Sequence, residues 1–68
     1  MYEAIIELPD FTYRFVTSEM FYEGDEVNFT VYQDGKELGS YKRKARYNRQ
    51  WGVYFAFRGL AISNYEFN

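Results

Sequence analysis

Apolar and polar residues alternate along most of this chain, and the alternation marks a series of short strands. Tyr2, Ala4, Ile6 and Leu8 share one parity and Glu3 and Glu7 the other, the pattern of a strand with one buried face; Ile5 alone breaks it. Pro9-Asp10 suits a tight connection, because proline presets φ and aspartate hydrogen-bonds within its own turn. Phe11, Tyr13 and Phe15 then alternate with Thr12 and Arg14. A two-residue loop at Pro9-Asp10 sets Leu8 opposite Phe11, Ile6 opposite Tyr13 and Ala4 opposite Phe15, so the apolar parities match. Residues 26–33 alternate again and end at Asp34-Gly35, a strong signal for a type I′ hairpin turn, in which both central residues take positive φ. The chain returns through the basic run Tyr41–Tyr47, turns at residues 48–52 and adds the alternating segment Val53–Phe57. A loop centred on Gln50 brings Tyr47 opposite Val53 and Ala45 opposite Phe55. Arg58-Gly59 turns the chain once more, and Leu60 and Ile62 continue the face of Phe55 and Phe57.

One hairpin contains a conflict. Simple register from Asp34-Gly35 pairs Val31 with Leu38 but then sets Phe29 against Ser40 and Val27 against Lys42. One extra residue near Gly39-Ser40 restores an apolar face of Tyr41, Ala45 and Tyr47, so a β-bulge is expected there. The bulge turns Lys42, Lys44 and Arg46 outward and leaves Arg43 on the core side. Residues 17–24 fit either a single helical turn, capped by Ser18 and ended by Gly24, or a broad loop that folds Met20 and Phe21 over one end of the sheet. Tyr65 and Phe67 are placed to cap the core from a 3₁₀ turn or a final strand.

The expected fold is therefore all-β: five or six antiparallel strands in a meander, forming a strongly bent sheet or small barrel with at most one short helical turn. Gly24-Asp25-Glu26-Val27 leading into a strand, the meander after it and the short tail resemble Src-homology-3-like small barrels at the level of fold. A resemblance of fold carries no function with it.

Composition bounds the chemistry. Sixty-eight residues allow one domain, residues 1–68, and a chain this short buries only about 60% of its unfolded surface. Sixteen aromatic side chains supply the large apolar volumes that such a core needs, and some must remain at the surface. There is no cysteine and no histidine, so disulfides and the common zinc and iron ligand sets are excluded. No cofactor is expected. The acidic residues Glu23, Asp25 and Glu26 lack calcium-loop spacing and read as a solvated turn. Asn28-Phe29-Thr30 matches a glycosylation sequon but reads as the polar face of a strand. The N-terminal segment has no basic region before its short apolar run, so the chain is expected to be complete, cytoplasmic and without a membrane span.

Charge distribution points to one surface. Net charge is −2, yet five of the eight basic residues fall between Lys42 and Arg49. Lys42, Lys44 and Arg46 are expected as an outward row flanked by Tyr32 and Tyr54, with Arg49 and Trp51 at the following turn. Exposed aromatics beside arginine are typical of protein interface hot spots. The leading expectation is a non-enzymatic module with no catalytic residues, binding a protein partner or a second copy of itself through Tyr32, Lys42, Lys44, Arg46, Arg49, Trp51 and Tyr54. The alternative is single-stranded RNA or DNA held by the same row, with cations on phosphates and rings on bases.

Overall fold

The four hairpins that the pattern predicts all form, and their strands fall into two sheets. In a computed structural model describing residues 1–68, β1 (Tyr2–Glu7), β2 (Thr12–Thr17), β3 (Glu26–Gln33) and β4 (Lys36–Lys44) make one antiparallel sheet in that order. β5 (Arg46–Asn48), β6 (Gly52–Phe57) and β7 (Leu60–Ser63) make the other, and a 3₁₀ turn at Asn64–Glu66 follows. The protein is all-β. The two sheets share no ladder, so the barrel expected from the meander is not closed; what joins them is a shared core and a short crossing of backbone bonds.

The turn chemistry fixes register. Asp34 and Gly35 have φ of 50° and 85°, and Arg58 and Gly59 have 47° and 81°, the left-handed pairs that match strand twist across a two-residue hairpin. Asp34 also ties its turn to β2: its Oδ1 accepts from the Thr12 N–H at 3.0 Å and its own N–H donates to the Thr12 carbonyl at 3.0 Å. In the first hairpin Ala4 pairs with Phe15 and Ile6 with Tyr13, while the Leu8 N–H donates to the Phe11 carbonyl at 2.9 Å. The expected parities hold.

The bulge lies one residue earlier than the sequence suggests. Tyr32 pairs with Glu37 and Val31 with Gly39, so Leu38 is the extra residue and packs half-buried against the core. Gly39, at φ 150°, takes the backbone conformation that a residue with a Cβ avoids. Beyond it Phe29 pairs with Tyr41, Asn28 with Lys42 and Glu26 with Lys44, as one inserted residue requires.

The basic run is not one strand. Its backbone breaks at Ala45, whose N–H donates to the Asp25 carbonyl at 2.7 Å and whose carbonyl accepts from the Gly24 N–H at 3.0 Å. The loop before β3 takes these two bonds, so the strand leaves the first sheet and begins the second. Strand count thus rises to seven. The expected burial of Tyr47 is also overturned: it keeps the core-face parity, opposite Val53, but is 57% exposed, at the edge of β5 that no other strand pairs. Tyr47→Ala should therefore cost less than about 1 kcal/mol of monomer stability in chemical denaturation, as exposed substitutions do.

The core solves the aromatic excess by residue type. Phe15, Phe21, Phe29, Phe55, Phe57 and Phe67 are buried, whereas Tyr13 is the single buried tyrosine. Residues 18–25 form a loop rather than a helical turn, and this loop delivers Phe21 against Phe55 and Phe67 at ring separations of 5.4 Å each. From the tail, Phe67 caps the core as expected, but Tyr65 is 84% exposed and does not. Asn68 fastens the tail to the edge of β1, exchanging two backbone bonds with Glu3 at 3.1 and 3.0 Å. One buried side-chain oxygen, Thr17 Oγ1, has no hydrogen-bond partner. Thr17→Val keeps the shape and removes the unsatisfied group, so it should raise stability by about 1 kcal/mol, read as a higher denaturation midpoint.

Candidate protein-contact surface

The second hairpin sheet positions the strongest group of surface residues. Arg46 on β5 pairs with Tyr54 on β6, which puts both side chains on the face away from Phe55 and Phe57. Trp51 stands in the connecting loop and meets Tyr54 edge-on, with ring centroids 5.4 Å apart and an interplanar angle of 60°. Trp51 is 40% exposed and pairs with no ring of the core. Arg49, in the same loop, is exposed.

The Trp51 backbone is held from both sides. Its N–H donates to Asn48 Oδ1 at 2.8 Å, and its carbonyl accepts from Ser63 Oγ at 2.9 Å. Ser63 Oγ in turn accepts from the Tyr65 N–H at 3.2 Å, which draws the 3₁₀ turn against the loop. Gly52, at φ 72°, completes the arrangement: a Cβ there would lie 3.1 Å from Tyr65 Cε2, so glycine serves both the conformation and the close approach of the Tyr65 ring. An exposed indole on a fixed backbone loses little conformational freedom on binding.

The other predicted residues are distributed differently. Lys42 and Lys44 point outward from the end of β4, as expected, and share one carboxylate neighbour, Glu26. Glu26 pairs in register with Lys44 and puts a carboxylate oxygen 3.7 Å from Lys42 Nζ. Arg43 turns its guanidinium back to the Lys42 carbonyl at 2.9 Å and lies 5.7 Å from the Tyr41 ring centroid. Tyr32 does not flank the basic row. It sits next to the Asp34-Gly35 turn, six residues from Glu26 and hence about 20 Å along β3, where the Arg14 guanidinium lies 4.2 Å from its ring centroid. The two-residue turn dictates this placement, because it pairs Tyr32 with Glu37 rather than with a lysine.

Tyr65, Ser63 and Asn48 are the contributors that the sequence reading missed. Asn48 carried a usable signal, an asparagine opening a turn; the positions of Ser63 and Tyr65 depend on contacts across the fold. At the opposite end of the molecule, the Tyr13 side chain beside the Arg58 guanidinium is the main cause that holds Arg58 above its ordinary range, partial desolvation opposing it. No three side chains of metal-ligating type converge, and no helix is long and apolar enough to cross a membrane. Comparison with protein-family models, curated proteins and solved structures finds no match.

Proposed function

We propose that this protein is a non-enzymatic binding module that contacts an acidic patch on another protein through Arg46, Arg49, Trp51 and Tyr54. The observation that carries this reading is Trp51, an exposed indole whose backbone is pinned by Asn48 and Ser63 and whose ring is backed by Tyr54. Interface energy concentrates in such anchors, with arginines supplying charge-assisted contacts around them. Nucleic acid fits the same surface less well. Glu26 offsets part of the charge of the lysine row, and Trp51 and Tyr54 meet edge-on rather than offering parallel plates to successive bases.

The test is affinity capture from native lysate, with and without nuclease, comparing the wild-type chain with Trp51→Ala. Capture should survive nuclease, and the affinity of Trp51→Ala for the captured protein should fall by about 2 kcal/mol or more, roughly thirtyfold. Its stability should change by less than about 1 kcal/mol. Capture that disappears with nuclease, or that is indifferent to Trp51, overturns the proposal.

A further inference from the structure

The opposite side of the same hairpin is open, and it is self-complementary. Ala45 spends its N–H and carbonyl on Asp25 and Gly24, while Tyr47, two residues on, presents its own to the same edge of β5 by strand alternation. No loop backbone reaches Tyr47 there. Beside this edge lies a recess of about 440 Å³ lined by Glu23, Gly24, Lys44, Ala45, Arg46 and Tyr47. Tyr47 and, next to Glu23, Tyr22 are 57% and 62% exposed. One wall of the recess is acidic and the other basic. Such a surface matches itself when turned about a two-fold axis, because each wall then meets its opposite.

We propose that two copies of this chain associate about a two-fold axis at Tyr47, pairing the open edges of β5 antiparallel. In that register Tyr47 of each copy exchanges both backbone bonds with its counterpart, and Arg46 faces Asn48 of the second copy. The next position, beside Ala45, is already filled by Gly24 and Asp25, so the hairpin tip of the second copy stops against that segment. Its Arg49 is thereby brought to Glu23. Both side chains are exposed in the single chain and free of internal ion pairs. The edge of β1 offers no equivalent: pairing two copies about Ile5 would set Glu3 against Glu7, and like charges opposite one another are destabilising. Arg46 and Arg49 belong to both this association and the proposed partner contact, whereas Trp51 and Tyr54 belong only to the latter and Glu23 and Tyr47 only to the former, so substitutions at Trp51 and at Glu23 separate the two.

Sedimentation equilibrium from about 10 µM to about 1 mM decides the matter, since a small interface of this kind falls in that range of affinity. The wild-type mass should rise from 8.2 kDa toward twice that value. Glu23→Arg and Arg49→Glu should each weaken association about tenfold or more, and the double variant should recover to within about threefold of wild type. Trp51→Ala should leave association unchanged. Circular dichroism confirms that each exposed substitution keeps the fold. A wild-type mass that stays at 8.2 kDa throughout, or a double variant no better than the single ones, overturns the proposal.

Discussion

Replacing Phe55 by alanine is expected to cost about 3 to 5 kcal/mol and to bring the domain to the edge of unfolding. A chain of this length has roughly 3 to 10 kcal/mol of total stability, so the loss consumes most of it. Phe55 is fully buried, and its ring lies 4.3 Å from Phe29, 5.4 Å from Phe21, 5.9 Å from Phe15 and 6.2 Å from Phe67. Those partners come from β3, the 18–25 loop, β2 and the tail, so one side chain links both sheets and both irregular segments. Truncation leaves a cavity that none of them can fill alone, because Phe29 and Phe15 are fixed in ladders and Phe67 is held by the bonds of Asn68 to Glu3. Chemical denaturation with near-ultraviolet circular dichroism measures the effect. Phe55→Leu retains most of the apolar volume and should cost clearly less. Equal and small losses for both would mean that the two sheets do not share this core.

What the sequence disclosed follows from the range of the interactions involved. Hairpins are local, and each was legible: Asp34-Gly35 and Arg58-Gly59 state their turn type, and matching parity in Ala4, Ile6, Tyr13 and Phe15 states the register. The bulge was legible as a count, because Phe29 and Val27 otherwise face polar residues, but not as a position. Leu38 and Gly39 are adjacent, and only contact with the core selects which of them is extra. The break at Ala45 was not legible. It depends on Gly24 and Asp25, some twenty residues away, taking the backbone bonds that a continuous strand would have given to its neighbour. From that break follows the division into two sheets. For the candidate surface, Arg46, Trp51 and Tyr54 were brought together as the pattern implied, since they belong to one hairpin. Tyr32 was not, since its neighbours are set by a different one.

The same break makes Ala45 the position where a small change should have a large effect. Its side chain is 1% exposed, and its backbone is clamped on the loop side by bonds of 2.7 and 3.0 Å. Ala45→Asp introduces a carboxylate at an enclosed position; Arg43 shares its parity, but that side chain is exposed and its guanidinium is turned back to the Lys42 carbonyl, and leaving a buried charge uncompensated costs about 3 to 5 kcal/mol. Lys44 and Arg46 flank it in sequence but point to the other face, so they offer no relief without a one-residue slip of the strand. That slip would break both bonds to Gly24 and Asp25. Two measurements check the expectation. Denaturation should show the loss of stability, whereas Ala45→Gly, which adds no polar group, should cost only about 1 kcal/mol. In whatever fraction of Ala45→Asp remains folded, the amides of Gly24 and residue 45 should lose their protection against hydrogen exchange ahead of the β2–β3 ladder. A variant that retains full stability and keeps those amides protected would show that the junction between the sheets lies elsewhere, and that the two are joined by something other than the crossing at Ala45.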